Sequence, residues 1–151
     1  MGTTNEDFYD AAIRHWIDGE ILEEQEEYDN AVYMQGFAAE CALKAILKVG
    51  CPDDIVRKYS HYGKELFRDV VMMLSGDIHL AAMTNPATGL RLSQIVLPDI
   101  LFRNHPERRY YMDGKYSKED AEQCRNATDS LIREITSLRL DGYMEDEHGR
   151  I

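Results

Sequence analysis

Residues 29–48 read DNAVYMQGFAAECALKAILK, and this stretch decides how the rest of the chain must pack. Apolar or small side chains cover most of its helical circumference, whereas a surface helix would present a broad charged face. Its few polar side chains are spaced four or five residues apart and therefore line one narrow strip of a helix. They are Gln35, Glu40, Lys44 and Lys48. The pattern predicts a central helix that is buried on most sides.

Glu40 and Lys44 lie one turn apart on this strip, where there is too little exposed surface to leave both charges in water. The sequence leaves open whether they pair with each other and whether Arg109 joins them. Gly36 interrupts the same helix at a cost of about 1 kcal/mol relative to alanine. We therefore expect a packing reason for a glycine at this position.

The composition is that of one acidic globular domain. The chain has 151 residues, with 28 Asp and Glu against 17 Lys and Arg, for a formal net charge of -11. This balance favours solubility and opposes non-specific binding to DNA or to anionic lipid, because a phosphate backbone attracts clustered cations. Any contact with RNA must therefore be local.

The chain carries no recognisable targeting, metal or cofactor motif. Its three cysteines have no metal-like spacing and predict reduced thiols in the cytoplasm, with Cys41 in the core. The N-terminus is charged and every apolar run is too short to span a membrane, so we expect a soluble protein without a membrane contact. A Gly-rich phosphate loop, a serine elbow, a CxxC pair and a helical His pair for zinc are all missing. We therefore predict neither a metal nor a cofactor.

Helical periodicity recurs on both sides of the central stretch. The first helix is predicted to start at a Thr4 cap and to turn one apolar face to the core, and the five glutamates of residues 20–27 are expected to be solvated. The predicted core face comprises Tyr9, Ile13, Trp16, Ile17 and Ile21.

The second half of the chain predicts further helices. A short helix is expected over residues 55–59, a longer one ends at Gly76, and one or two short helices fall within residues 90–101. A Ser117 cap opens the last long helix. These elements predict an all-α fold, an antiparallel bundle of four to five helices over residues 1–140 with a polar tail at 141–151.

The loop at residues 103–116, RNHPERRYYMDGKY, concentrates cations and tyrosines in an otherwise acidic chain. Guanidinium groups bind phosphate oxygens and aromatic rings stack on bases, so this composition suits a phosphate or nucleobase site. It also suits a loop that pairs with acidic helices. In that case we expect Glu40 to be the partner of one of its arginines.

Residues 30–45 also resemble a known family. Asn30-Ala31, followed by Gln35-Gly36-Phe37-Ala38-Ala39-Glu40-Cys41-Ala42-Leu43-Lys44-Ala45, is similar to the "NA…GYAAECALKA" segment of HEPN domains, small helical modules of prokaryotes and eukaryotes. Weaker similarities follow the family order in residues 12–16, 59–66 and 108–121. The resemblance spans about residues 8 to 138. It implies a HEPN-like bundle and a homodimer, and many members pair with a small nucleotidyltransferase in toxin-antitoxin systems.

Many HEPN domains are metal-independent ribonucleases with an Arg, often followed by a polar residue, and a His separated from the Arg by about four to six residues. Arg103-Asn104 resembles the start of that motif, but Arg108, Arg109 and Tyr110 stand where the His belongs. Arg57 and His61 are one residue too close together for the motif. No arginine of this sequence has a His at the family spacing, so the usual ribonuclease activity is not expected.

Three hypotheses of function follow from the sequence. The first is a HEPN-type module that binds a nucleotide, RNA or a protein partner without the usual ribonuclease activity, through a ligand-binding cluster of Glu40, Lys44, His61, Arg109 and Tyr110. The second is a metal-independent ribonuclease with a non-standard site, in which Arg103 and Arg109 hold phosphate and His61 or His105 supplies the base. The third is a structural protein-interaction module whose acidic first helix contacts a basic partner.

Overall fold

The computed structural model describes residues 7–76, 87–103, 105–110 and 114–144; the side chains of Arg109 and Tyr110 lie outside that description. Within these ranges the chain forms six α-helices and two 3-10 helices and no β-strand. The predicted all-α class is therefore confirmed. The α-helices are α1 (Phe8–Glu24), α2 (Tyr28–Lys48), α3 (Asp53–Arg57), α4 (Gly63–Gly76), α5 (Thr88–Ser93) and α6 (Lys118–Leu140), and the 3-10 helices are η1 (Asp99–Leu101) and η2 (Glu107–Tyr110).

α2 is the central helix that the sequence predicts. It packs against α1, α3, α4, α6 and both 3-10 helices, and most of its side chains are buried. The strip residues Gln35, Glu40 and Lys44 are buried together with the apolar ones. Any charge on this strip must consequently find its partner inside the protein.

α1 starts at Phe8, with Asp7 as the N-cap whose carboxylate accepts the Asp10 backbone N–H. The predicted Thr4 cap lies outside the described residues. The predicted core face is wrong for Ile17 and Ile21, which are 44% and 46% exposed. α1 instead turns its smallest residues inward, because close approach to α2 leaves no room for isoleucine on that side. The buried residues of α1 are Ala12 and Gly19.

α6 follows the sequence prediction closely. Ser117 and Asp120 form a reciprocal capping box at its start. Its predicted apolar stripe is buried throughout, and comprises Ala121, Cys124, Thr128, Leu131, Ile135 and Leu138. After the helix, Gly142 adopts a φ of +85°, and Met144 returns to the core with 9% exposure. Of the predicted polar tail, residues 141–143 are exposed, and residues 145–151 lie outside the described part.

Among its described residues, the segment between α2 and α6 contains only short elements besides α4. α3 begins and ends two residues before the predicted short helix, α4 ends at Gly76 as predicted, and α5 with η1 match the expected short helices. No helix in the described ranges is long and apolar enough to cross a membrane. The turn from α3 to α4 and the loop after η1 both reach the polar strip of α2, and this meeting point is the candidate site.

Candidate functional site

Gly36 lets the loop after η1 reach α2. A Cβ atom at this position would lie 2.7 Å from the Leu101 carbonyl oxygen, 3.2 Å from His105 Nδ1 and closer still to Arg108 Nη2. The backbone oxygen has no freedom to move aside as a side chain would. The expected packing reason for the mid-helix glycine is therefore the insertion of this loop.

Arg108 anchors the loop by binding backbone carbonyl groups. It is 5% exposed and donates to the carbonyl oxygens of Ile100, Leu101 (2.6 Å) and Val32 (3.5 Å). Its Nη2 also lies 3.3 Å from His105 Nδ1. A guanidinium group can only donate, so Nδ1 accepts and the other ring nitrogen, Nε2, carries the proton of the neutral ring.

The buried Glu40 carboxylate is the centre of the site. Its Oε2 accepts from Lys44 Nζ at 2.9 Å, and its Oε1 lies 3.1 Å from His61 Nδ1 and 3.8 Å from His105 Nε2. Glu40 and Lys44 therefore pair with each other, which answers the question left open by the sequence. We expected Glu40 to pair with an arginine of the loop. This prediction is wrong for the two loop arginines whose side chains are described. Arg108 binds backbone carbonyl groups, and Arg103 lies 3.8 Å from Asp99.

A turn with a left-handed residue brings His61 to Glu40. Ser60 has a φ of +47°, a conformation that costs a residue with a side chain about 1 kcal/mol. Its carbonyl oxygen accepts from Lys44 Nζ at 2.6 Å, and the next side chain, His61, meets the carboxylate. The Glu40–Lys44 pair thus holds both the strained turn and the histidine that follows it.

Aromatic rings complete the surroundings of the two imidazoles. Phe37 packs edge-on against His105 at 4.4 Å and against His61 at 5.8 Å between ring centroids, and Tyr33 lies 5.4 Å from His105. The His105 side chain has no exposed surface, whereas 45% of the His61 side chain is exposed. His105 therefore supports the site from inside, and His61 presents it to solvent.

Exposed cations lie close to His61 in the sequence. Arg57, Lys58 and Lys64 are exposed, and residues 57–64, RKYSHYGK, contain no acidic residue. Lys64 and Arg103 both approach Asp99, at 3.9 and 3.8 Å, so Arg103 belongs to the same face. We call these five side chains, Arg57, Lys58, His61, Lys64 and Arg103, the His61 face.

Sequence reasoning missed most of the His61 face because it assigned the chemistry to residues 103–116. The signal was nevertheless present in the alternation of cations and aromatic rings in RKYSHYGK. Of the predicted ligand-binding residues, Glu40, Lys44 and His61 come together. His105, predicted only as a candidate base, joins them; the side chains of Arg109 and Tyr110 lie outside the described residues.

Glu40, His61 and His105 bring three possible metal ligands within 4.8 Å of one another. Two contacts make this a poor donor set. Arg108 holds His105 with its proton on Nε2, the atom that faces Glu40, so no lone pair is directed inward. Lys44 occupies the second carboxylate oxygen and adds a positive charge that repels a cation. The cluster suits an anion better than a metal ion.

Two titratable groups near the cluster are kept neutral. Burial, with a smaller contribution from Arg14, lowers the pKa of His15 below its ordinary value. Burial and then the Glu40 charge raise the pKa of the Cys41 thiol to about 12. Neither group therefore supplies a charge or a reactive thiolate to the site at neutral pH.

Comparison with protein-family models, with curated proteins and with solved structures gives no match for this chain. The functional assignment consequently depends on the geometry of the cluster and on the resemblance in the sequence.

Proposed function

We propose that this chain is a HEPN-type helical module that binds RNA or a nucleotide through the His61 face. The observation that carries the proposal is the position of His61: its ring is half exposed, and its Nδ1 is held by the buried Glu40 carboxylate. Glu40 is itself fixed by Lys44. An exposed side chain with such buried support is pre-organised for a ligand.

The local charge favours a phosphate group despite the acidic composition. Inside the cluster, the single Glu40 carboxylate faces both the Lys44 ammonium and, through His105, the Arg108 guanidinium. Outside it, the His61 face adds further cations. α4 also begins at Gly63, two residues after His61, so the positive end of its dipole adds to the attraction.

Tyr62 favours a nucleobase ligand over phosphate alone. Tyr62 directly follows His61 in the sequence and is 65% exposed. A base stacked on such a ring contributes about 1–3 kcal/mol without demanding a particular sequence. The expected ligand is therefore a single-stranded RNA segment or a nucleotide rather than a duplex.

The direct test is binding of a fluorescein-labelled 12-nucleotide single-stranded RNA and of labelled ATP, followed by fluorescence anisotropy. We expect Lys64→Ala, Arg103→Ala and Tyr62→Ala each to weaken RNA binding by about three- to tenfold, the equivalent of roughly 1 kcal/mol. Affinity should fall with salt at a logarithmic slope of about -2 if three phosphates are contacted.

Arg133 supplies the matched control. It is an exposed arginine of α6 that lines a groove between α1 and α6. Arg133→Ala removes one positive charge, as the test variants do, and should leave binding unchanged. The proposal fails if neither RNA nor ATP binds at about 50 mM salt, or if Arg133→Ala weakens binding as much as Lys64→Ala and Arg103→Ala do.

One observation favours a ribonuclease as a second candidate. Since His61 Nδ1 donates to Glu40, the lone pair of the neutral ring lies on Nε2, at the half-exposed edge. Nε2 would take the proton of a ribose 2′-hydroxyl whose oxygen attacks the adjacent phosphate. As the new P–O2′ bond forms, the P–O5′ bond breaks, and the leaving 5′-oxygen takes a proton from solvent water. The products would be a 2′,3′-cyclic phosphate and a 5′-hydroxyl. Of the two predicted bases, fully buried His105 does not reach a substrate.

His61→Ala separates the two candidates. Under the ribonuclease hypothesis, the protein generates 2′,3′-cyclic phosphate ends, and the variant does not at an RNA concentration that saturates it. Intact RNA after prolonged incubation with the unaltered protein, or equal cleavage by the variant, would leave only the binding function.

The resemblance to HEPN domains also motivates two partner proposals. These are a homodimer and a nucleotidyltransferase encoded with this chain in a toxin-antitoxin system. Sedimentation velocity tests the first, and co-purification with a neighbouring nucleotidyltransferase gene product tests the second. A monomer at micromolar concentration would refute the homodimer.

A further inference from the structure

α1 carries an apolar ridge on its outer side. Ile17 and Ile21 are four residues apart and therefore lie on one face of the helix. They are 44% and 46% exposed, whereas Ile13, one turn earlier, is half-buried against the core. At 1.5 Å per residue the exposed pair, which we call the isoleucine ridge, extends over about 6 Å of the helix axis.

A groove flanks the isoleucine ridge on one side. It has a volume of about 620 Å³, runs between α1 and α6, and has apolar walls from Trp16, Ile132 and Leu140. A ridge beside an apolar groove is a surface into which another helix packs its own side chains. Scattered exposed isoleucines would not form such a surface.

The charge around the ridge indicates which helix fits. α1 has five acidic residues and one arginine, and the acidic run continues to Glu27 beyond its end. Two arginines of α6 line the groove beside the ridge: Arg125 is paired with Glu23 and Asp129, and Arg133 is exposed. A second copy of α1 laid against the ridge would bring like charges together, which opposes association.

We propose that the isoleucine ridge docks an amphipathic helix of a partner protein, with an apolar stripe flanked by lysine or arginine. The apolar stripe would cover Ile17 and Ile21, and the basic flanks would face Glu20 and Glu24. This surface uses none of the residues of the His61 face, so a protein partner and a phosphate ligand do not compete for the same side chains.

The test uses three labelled 14-residue peptides and the full chain. The first is a helix-forming peptide with leucines at i, i+3, i+4 and i+7 and lysines elsewhere. The second has the same composition with its leucines distributed around the helix, and the third replaces lysine by glutamate. We expect the first to bind at least about tenfold tighter than the other two in fluorescence anisotropy, since only it matches both apolar surface and charge.

Variants of the ridge identify where the peptide binds. The double variant Ile17→Ser/Ile21→Ser should lose about tenfold in affinity for the first peptide, and Glu24→Lys should weaken it as well. Val96→Ser and Glu65→Lys are the matched controls, because they change an exposed apolar residue and an exposed acid on other elements. Both should bind as the unaltered protein does.

Three outcomes would overturn this inference. Equal binding of the first two peptides would mean that charge alone attracts them. Unchanged binding by the double variant would place the peptide elsewhere. Self-association of the unaltered chain that disappears in the double variant would show that a second copy covers the ridge. None of these results depends on whether RNA binds.

Discussion

A single methyl group added at Gly36 is predicted to destabilise the fold and to disturb the His61 site from behind. Alanine gains about 1 kcal/mol of helix propensity over glycine. Against this, the new Cβ would stand 2.7 Å from a fixed backbone oxygen of Leu101 and would press on Arg108. Overpacking costs about 1–3 kcal/mol, and weakening one buried hydrogen bond of Arg108 costs about 1.5–3 kcal/mol more.

The net expectation for Gly36→Ala is a loss of about 2–4 kcal/mol in the free energy of unfolding. Urea denaturation followed by helical circular dichroism and by Trp16 fluorescence measures it. Gly76→Ala is the control, because a Cβ at Gly76 meets no atom within 4 Å, and we expect it to change stability by less than about 1 kcal/mol. If Gly36→Ala is as stable as the unaltered chain, or more stable, the buried position of Arg108 against α2 is wrong.

Three further predictions follow from the same contacts. Ser117→Ala should cost about 1 kcal/mol in urea denaturation through loss of the capping box, and no change would refute that box. Glu40→Leu and Lys44→Leu should each cost about 3 kcal/mol by leaving a buried charge unpaired, whereas the double variant should cost less than their sum; additive losses would contradict the pair. Burial raises the pKa of Cys41 and of Cys124 from the ordinary 9.0 to about 12. Iodoacetamide at pH 8 should therefore alkylate them only after denaturation, as mass spectrometry would show, and their contribution to stability should decline as the pH rises above about 9.

The two longest helices were predictable because their sequences satisfy several requirements at once. In α6, the apolar spacing, the Ser117 cap and the Asp120 partner all indicate the same start and the same buried face. In α2, the scarcity of polar residues predicts burial on most sides. When local and global requirements agree in this way, a helix can be predicted from its sequence.

The orientation of α1 was not predictable from its apolar residues. The isoleucines define a helical stripe, but the face that meets α2 is decided by Ala12 and Gly19, whose small size permits close approach. A Cβ at Gly19 would collide with the Gln35 side chain. Steric fit depends on both helices, so it cannot be predicted from the hydrophobic periodicity of one helix alone.

Within the candidate site, only the contacts between residues that are close in the sequence were predictable. The four-residue spacing of Glu40 and Lys44 places both side chains on one helical face and predicts their pair. His61 reaches Glu40 because Ser60 adopts a left-handed conformation, and serine gives no strong signal for that conformation. Arg108 and His105 belong to the long connection between α4 and α6. Their contacts with Val32 and Glu40 therefore depend on tertiary packing alone.

Acidic and basic residues are segregated along the chain, and this segregation gives the two proposed surfaces opposite charges. A net charge of -11 would repel RNA if it were spread evenly. Instead, residues 20–27 contain five acids and no base, and residues 57–64 contain three cations, one histidine and no acid. At physiological salt the field of an exposed charge decays over about 8 Å, so each surface acts largely through its own charges. An acidic protein can therefore attract a phosphate at the His61 face while the isoleucine ridge selects a basic helix.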